Sequence, residues 1–243
     1  MPGIGTIVNA LAILAGGTAG LLAKKGFPER FRTLIFDAVG CAVFIIGLTG
    51  VLTNCLYVTE EGALGSRYIM ELLLSLVLGG ILGELLRLDR LFDKAGEKLR
   101  SLFKNSDSGL GTGFANTTVL FCAGAMAILG SIEDGVLHNP ATLYTKAMLD
   151  GISAMVFSTV YGYGVLFSAG SVLIYQGVIT LLSTFIAPYL GDVLVSQMSM
   201  VGNAVVMLIS FGMWGFKEIK IANLIPATFM PVLFLAVKSM FSL

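Results

Sequence analysis

Charged residues are scarce in this chain, and their scarcity decides its class. Only 12% of the 243 residues are Asp, Glu, Lys or Arg, whereas soluble domains carry about 25%. Hydrophobic residues make up 56%, and the mean hydropathy is +0.90. A helix needs about 20 mostly apolar residues to cross a bilayer, and the sequence offers about eight such segments. The composition therefore predicts an all-α, polytopic transmembrane helix bundle whose main partner is the lipid bilayer.

The chain lacks the residue patterns that nucleic-acid binding, metal binding and enzymatic catalysis usually need. The 15 basic and 15 acidic residues cancel, so the composition does not indicate a nucleic-acid partner. Cys41, Cys55 and Cys122 are dispersed without the spacing of a metal site, and we interpret them as packing residues. The sequence has no phosphate-cradling loop, no Cys/His cluster and no nucleophile–base arrangement. We therefore expect no cofactor, no bound metal and no enzymatic activity.

Long apolar runs separated by polar loops define the expected spans. The break between the fifth and sixth, at 167–170, is the least distinct, so 147–190 is also compatible with a broken helix. The spans are expected at 4–23, 34–54, 68–86, 114–132, 147–166, 171–190, 197–215 and 222–241.

Basic residues are distributed unevenly over the loops. The loops after the first, third and seventh spans contain 12 of the 15 Lys and Arg residues, and with eight spans these loops share one side. Arg67, Lys146 and Lys238 remain for the other side. Because basic loops stay in the cytoplasm, we expect both termini on the opposite side of the membrane.

Residues 88–113 differ from the spans and divide the chain. In 88–104, apolar residues recur at helical spacing with charges between them. This pattern predicts an amphipathic helix on the cytoplasmic membrane surface, and docking on a partner protein is the alternative. Residues 105–113 form a polar, Gly-containing linker.

The two halves of the chain share a short pattern. Asp37 opens the second span and Asp150 the fifth, and each follows a loop that contains a proline. An odd number of helices would invert the second copy, and transporters with inverted repeats place their sites where the repeats meet. Chance similarity between Gly-rich helices is the alternative. The expected division of the single transmembrane domain 1–243 is repeat 1 at 1–87, the helix and linker at 88–113, repeat 2 at 114–190 and a partial third unit at 197–241.

Six blocks of sequence resemble, in order, those of a known family. They are AILAGGTAGLLAKKGFPERF, LSLVLGGILGELLRLDRL, FCAGAMAILGSIEDG, TKAMLDGISAMVFS, LIYQGVITLL and IKIANLIPA. Through them the chain is similar to the uncharacterised bacterial membrane family named domain of unknown function 554. The resemblance implies a multi-pass protein of the bacterial cytoplasmic (inner) membrane, and it implies no particular substrate.

Ionisable residues inside spans are the first candidates for a site, because a charge in hydrocarbon costs free energy unless it is paired or in contact with water. We interpret Asp150 and Asp37 as carboxylates that bind a cation or relay protons. The alternative for each is a place at headgroup level near a helix start, with Lys146 as an i,i+4 partner of Asp150. Glu133 and Asp134 follow the fourth span, as carboxylates of a pore mouth or of a solvated loop.

Neutral polar residues extend the candidate site. Asn9, Asn116 and Asn203 recur near the start of Gly-rich spans, where amides can bind a substrate or join helices. The hydroxyl-rich stretch 153–176 is too polar for lipid, so it faces protein or water. The candidate substrate- or ion-binding residues are Asp150, Asp37, Gln176, Asn9, Asn116, Asn203, Tyr175, Lys146 and Ser153.

These features predict a secondary transporter or channel for a small solute or ion. The alternative is a membrane scaffold or regulatory subunit whose polar residues only hold helices together. Gly79, Gly80 and Gly83 would let a like helix approach closely, which predicts a homodimer, and packing within one protomer is the competing interpretation.

Overall fold

Helices make up nearly all of the described chain. The computed structural model describes residues 2–24, 29–94, 110–122, 125–186, 188, 191–217 and 219–240. The helices are α1 (Ile4–Lys24), α2 (Glu29–Cys55), α3 (Ile69–Leu86), α4 (Leu110–Cys122), α5 (Ala125–Val136), α6 (Ala141–Tyr161), α7 (Gly164–Ile186), α8 (Asp192–Met213), a 3₁₀ helix (Ile221–Phe229) and α9 (Met230–Met240). Two short strands, β1 (Leu56–Val58) and β2 (Leu64–Ser66), form an antiparallel hairpin after α2.

Six segments of the described chain are long and apolar enough to cross a membrane. The pair α4 and α5, bent by 60°, makes a seventh if the two form one span. α6 has 21 residues, but Lys146 and Asp150 near its start make it less apolar than the others. The predicted all-α, polytopic bundle is confirmed.

α1 and α6 form the most extensive helix pair. A methyl group on Gly16 would overlap the carbonyl oxygen of Gly151, so the two backbones touch. The contacts follow the same order along both helices: Gly5 against Leu143, Gly16 against Gly151 and Gly20 against Met155. The helices are therefore parallel, and α6 follows α1 through the same depth of the bundle.

The other helix pairs have directions that fit eight alternating crossings. α2 is antiparallel to α8, and α3 is antiparallel to the 3₁₀ helix. The contacts that fix these directions are Gly47 with Met207, Gly50 with Asn203, Gly79 with Ala227 and Gly83 with Asn223. Length and hydropathy alone support six or seven spans, whereas the packing directions agree with eight.

The glycine face of α3 packs inside the protomer. A methyl group on Gly79 or Gly83 would overlap backbone atoms of Ala227 or Asn223. From the sequence we expected this face to contact a second copy of the chain. It is occupied by the 3₁₀ helix, so the expected homodimer loses that particular support and remains a proposal.

Two helix breaks differ from the expected positions. The fifth and sixth spans are separated at 162–163 instead of 167–170, because Gly162 adopts φ 65° and ψ −143°, a conformation that favours glycine. The broken span is the fourth, expected as one helix over 114–132 and formed by α4 and α5. The spacing of apolar residues indicates the length of a helix and the face that it buries. It does not indicate a bend within the helix.

Two further features were not predicted from the sequence: the 3₁₀ conformation at the start of the eighth span, and the hairpin. Pro226 lies within the 3₁₀ helix, where its missing N–H and its ring oppose an α-helical bonding pattern. The hairpin joins strands of three residues each, which are too short to show the alternation by which strands are recognised.

The inverted repeat remains a prediction. A pseudo-two-fold axis relating 1–87 to 114–190 would pair α2 with α4 and α5 as closely as α1 is paired with α6. In the structure, however, α2 packs mainly on α8.

Of the expected amphipathic helix 88–104, residues 88–94 are helical, and the ring of Phe92 lies 5.1 Å from that of Phe114. Residues 95–104 lie outside the described residues.

The loops after α3 and α8 meet at one end of the bundle. Lys220 forms ion pairs with Glu84 at 3.0 Å and with Asp89 at 3.2 Å. These two loops were expected to share the cytoplasmic side. The hairpin follows the opposite end of α2, next to the start of α8.

We therefore expect opposite accessibility at Glu60 in the hairpin and at Lys217 after α8, both exposed. In a cysteine-free background, a membrane-impermeant maleimide should label Glu60→Cys in cells whose outer envelope is permeable. Lys217→Cys should react only after the membrane is lysed, because its basic loop lies in the cytoplasm. The reverse pattern would overturn the orientation.

The backbone contact of α1 with α6 makes a second prediction. Gly16→Ala should destabilise the folded protein by about 1–3 kcal/mol, because the added methyl has no room. Gly170→Ala is the matched control, since nothing lies within 4 Å of the added Cβ. It should be neutral or stabilising by up to about 1 kcal/mol. Thermal unfolding in detergent measures both, and equal melting temperatures would contradict the packing.

Candidate functional site

A buried ion pair lies on α6. Lys146 and Asp150 are four residues apart, so both side chains lie on one helix face. Lys146 Nζ donates to Asp150 Oδ2 at 2.6 Å, and the two side chains are only 7% and 9% exposed. Burying two charges carries a large desolvation cost, which is offset only when further hydrogen bonds satisfy the groups. The surroundings of this pair therefore decide what it can do.

Two amides from other helices complete the ion pair. Asn9 Nδ2 on α1 donates to Asp150 Oδ2 at 3.0 Å and to Gln176 Oε1 on α7 at 3.3 Å. Both amide side chains are fully buried. Asn9, Lys146, Asp150 and Gln176 together are called the buried cluster below.

The hydrogen bonds fix the orientation of both amides. Flipping Asn9 would point its oxygen at the Asp150 carboxylate, and flipping Gln176 would set two NH₂ groups against each other. Asn9 Oδ1 and Gln176 Nε2 must therefore be the atoms left over, and neither has a hydrogen-bond partner among the described residues. Buried polar atoms are rarely left unpaired.

Close packing of glycines explains how the buried cluster forms. Because Gly16 and Gly20 let the α1 backbone touch α6, the short side chain of Asn9 reaches Asp150 across the interface. α7 runs antiparallel to α1, since Gly17 packs on Leu166 while Asn9 bonds to Gln176. Asn9 of α1 thus contacts the pair on α6, and Gln176 of α7 contacts Asn9.

Asp134 occupies a second buried position, which the sequence analysis missed. It was expected beyond the fourth span, in a pore mouth or a solvated loop, but it lies within α5 and is fully buried. Its Oδ2 accepts hydrogen bonds from the backbone N–H groups of Gly3 at 3.1 Å and Gly5 at 3.0 Å. The carboxylate thus caps the N-terminus of α1, where the helix dipole favours an anion. Glu133 accepts from Thr142 Oγ1 at 2.5 Å.

Asp37 does not join the buried cluster. It lies on an exposed part of α2, and its backbone carbonyl accepts a hydrogen bond from Trp214 Nε1 at 3.3 Å. The two acidic residues that occupy similar places in the sequence therefore have different surroundings. Asp37 lies apart from the cluster because α2 packs mainly on α8, and its role in binding a cation or relaying protons stays a prediction.

Asn116 and Asn203 are also separate from the buried cluster. Asn116 Nδ2 donates to the Tyr161 hydroxyl at 3.1 Å, and both residues line a cavity of about 480 Å³ that also contains Asp89, Asp93 and Lys220. Asn203 donates to the carbonyl oxygen of Ser199 at 2.8 Å within α8, where Gly50 of α2 packs on its amide. The first asparagine lies at the end of the bundle where the loops after α3 and α8 meet, and the second joins two helices.

Tyr175 and Ser153 lie near the buried cluster without hydrogen bonds to it. Tyr175 lines an apolar cavity of about 160 Å³ beside Cys122, and its ring makes an edge contact with Phe229 at 6.3 Å. Ser153 is half-buried one turn after Asp150 on α6. Cys41, Cys55 and Cys122 are all free thiols; Cys55 is buried, Cys122 is half-buried and Cys41 is exposed.

At the end of the bundle where the loops after α3 and α8 meet, a polar contact joins α3 to the 3₁₀ helix. Asn223 Nδ2 donates to Glu84 Oε2 at 2.6 Å, and Asn223 Oδ1 accepts from the backbone N–H of Asp89 at 2.6 Å. The hydrogen bonds to Glu84 and Asp89 raise the pKa of Lys220 above its ordinary value. Asn223 is buried, whereas Lys220 and Glu84 are exposed, and Asp89 and Lys220 line the 480 Å³ cavity.

The buried cluster is enclosed. The cavities of about 480, 160, 1210 and 380 Å³ are lined by other residues, and neither Asp150 nor Gln176 borders any of the four. The largest is an apolar groove between α7, α8 and α9, bordered by Ile174, Phe185 and Leu235. In this conformation the cluster has no wide connection to either surface through these cavities.

The sequence contained a signal for two buried polar residues that were not predicted, Thr6 and Thr180. Thr6 precedes Asn9 by one helical turn, and Thr180 follows Gln176 by one turn, so polar stripes on α1 and α7 extend the cluster. The role of Asp134 had no local signal, because its partners are 129 and 131 residues away in the sequence.

Fold and site together define a polytopic α-helical membrane protein with a buried, charged, hydrogen-bonded cluster. The chain belongs to the family described as "Protein of unknown function (DUF554)", whose model matches residues 4–236. It is 29% identical over 228 residues to the "Uncharacterized membrane protein YdfK" of Bacillus subtilis (strain 168), covering 93% of both chains. It is 27% identical over 229 residues to the "Uncharacterized protein YqgA" of Escherichia coli (strain K12), covering 92% of both. No solved structure matches the chain.

The geometry of the ion pair predicts strong coupling between its two members. Lys146→Met and Asp150→Asn should each cost about 3–5 kcal/mol of stability, because each leaves an uncompensated buried charge. The double variant Lys146→Met/Asp150→Asn should recover much of that loss. Melting temperatures of the four proteins in detergent form the double-mutant cycle, and additive losses would contradict the pairing.

Proposed function

We propose that this chain is a membrane transport protein, a secondary transporter or channel, that moves a small solute or ion through the buried cluster. Its place is the bacterial inner membrane, and its role is transport rather than enzymatic catalysis. The membrane class and family are given by the helices and the relatives. The transport role rests on the chemistry of the cluster.

The single observation that carries the proposal is the set of unpaired polar atoms around a buried ion pair. Asn9 Oδ1 and Gln176 Nε2 have no partner in the described chain, although both residues are 0% exposed. A cluster that only joined helices gains most when all its donors and acceptors are paired, because each unpaired buried group costs about 1–3 kcal/mol. A site for a passing solute needs unpaired groups that the solute itself can satisfy.

Polar groups also continue from the cluster toward the cytoplasmic end. Ser158 is fully buried two turns after Asp150, and its hydroxyl has no partner among the described residues. Tyr161 follows by one turn and borders the 480 Å³ cavity. α6 thus carries a row of polar groups from the cluster to the 480 Å³ cavity, which supports a route along the α1–α6–α7 interface.

The chemistry of the cluster favours a small cation as the cargo. Its available acceptors are carboxylate and amide oxygens, which are ligands of hard cations. Lys146 neutralises Asp150 when the site holds no cation. A cation that reaches Asp150 therefore competes with the Lys146 ammonium for the same carboxylate, which allows binding without accumulating buried charge.

A structural scaffold is the second candidate, and one observation favours it. The buried cluster borders none of the four described cavities, as expected for a dry seam between helices. Transport through an enclosed site requires a second conformation that opens it, whereas a scaffold requires none.

Flux through proteoliposomes separates the two candidates. Vesicles containing the wild-type protein should take up at least one of Na⁺, K⁺ or H⁺, followed with ²²Na⁺, ⁸⁶Rb⁺ and an internal pH dye. Lys146→Met/Asp150→Asn should fold, because no buried charge is left unpaired, and should lose that flux. Flux equal to wild type in this double variant would remove the cluster from the route.

Asp37→Asn is the matched control for the flux measurement. It removes a carboxylate from a similar place in the sequence, but Asp37 is exposed and away from the cluster, so flux should be unchanged. A folded wild-type protein that moves none of the three ions would favour the scaffold.

A further inference from the structure

The carboxylate of Asp134 is only half used by its role as a helix cap. Oδ2 accepts the two backbone N–H groups of Gly3 and Gly5. Oδ1 is buried and has no hydrogen-bond partner among the described residues. A capping role explains the first oxygen and leaves the second, in a residue that is 0% exposed, without a function.

Two buried threonine hydroxyls are unpaired in the same part of the bundle. Thr6 on α1 is 2% exposed and Thr180 on α7 is 4% exposed, and neither Oγ1 has a partner in the described chain. Threonines in helices commonly bond back to a carbonyl of the preceding turn. In this chain that bond is made by Thr18, Thr49, Thr53, Thr117 and Thr145. The hydroxyls of Thr6 and Thr180 do not make this bond and are left for another partner.

The helix register brings these groups to one place. Thr6 lies one turn from Asn9 and Thr180 one turn from Gln176, and the two helices are antiparallel. Because Asn9 and Gln176 bond to each other, both threonines lie on the same side of that bond, toward the start of α1. A Cβ added to Gly135, the neighbour of Asp134, would lie 2.5 Å from the Thr180 carbonyl oxygen. α5 thus closes the group on its third side.

We propose that Asp134, Thr6 and Thr180 form a binding site for a dehydrated monovalent cation of the Na⁺ class. Carboxylate and hydroxyl oxygens suit a hard cation. The N-terminus of α1 contributes about half a positive charge, so it balances part of the Asp134 charge. The remainder matches a monovalent cation better than a divalent one.

The position of this site also extends the proposed function. It lies between the start of α1 and the buried cluster, at the end opposite to the basic loops. A cation entering from that side meets it before Asp150. Its place on a transport route rests on the proposed function, whereas equilibrium binding of a cation does not and is measured separately.

Thr180→Val tests the site without touching the helix cap. The purified protein in detergent is melted over a series of NaCl concentrations, with choline chloride holding the ionic strength constant. The wild-type melting temperature should rise with Na⁺. Thr180→Val should weaken the apparent Na⁺ affinity about tenfold, as expected for one lost ligand. In choline alone it should melt at the wild-type temperature or higher, because it removes an unpaired buried hydroxyl.

Three further proteins make each outcome decisive. Thr6→Val should repeat the effect of Thr180→Val, and Thr18→Val, whose hydroxyl is bonded to its own helix, should leave the Na⁺ response unchanged. Lys146→Met/Asp150→Asn leaves Asp134, Thr6 and Thr180 intact, so it should keep the part of the Na⁺ response that Thr180→Val removes, even if no ion flux is found for the wild type. The proposal is overturned if the wild type shows no Na⁺-specific shift, if Thr180→Val responds like wild type, or if only the double variant loses the response.

Discussion

The burial of one ion pair is the constraint on which the rest of this structure depends. Lys146 and Asp150 are held at 2.6 Å with less than a tenth of either side chain exposed. Charges at such a place are tolerated only with further polar partners; Asn9 of α1 bonds to Asp150 and, in turn, to Gln176 of α7. The first, sixth and seventh helices are therefore joined by chemistry as well as by apolar contact. The same requirement makes the pair a candidate for function, because a solute can replace one of its partners.

Glycine packing is what makes the polar contacts geometrically possible. Asn9 has a short side chain and reaches Asp150 only because α1 and α6 touch along Gly16 and Gly20. In lipid, helices gain little from hydrophobic burial against each other, so close packing of small residues and hydrogen bonds become the main sources of association. The α3 contact with the 3₁₀ helix, through Gly79 and Gly83, uses the same means at another place. Backbone contacts at glycines and polar groups between helices thus join these helices beside a core of apolar side chains.

The sequence predicted the class, the helices and part of the site, for reasons that are physical. The small number of charged residues and the long apolar runs directly indicate a membrane protein. Polar residues within those runs are noticeable because burying each of them in hydrocarbon costs free energy. Asn9, Lys146, Asp150 and Gln176 were found in this way. Their meeting was not predictable, since it depends on the parallel approach of α1 and α6. That Asp37 lies apart from Asp150 was not predictable either, because similarity along the chain does not tell which helices touch. Asp134 was missed because its partners are backbone groups at the other end of the sequence.

The most direct measurement of the central claim, that the buried cluster is a binding site and not a closed seam, is an electron cryo-microscopy structure in lipid nanodiscs at a resolution that shows ordered water. Asn9 Oδ1 and Gln176 Nε2 lack partners in the described chain. The account predicts ordered density, from water or an ion, within hydrogen-bonding distance of both atoms. If both atoms instead bond to protein groups, with no density between the helices, the cluster is a structural seam and the account is contradicted.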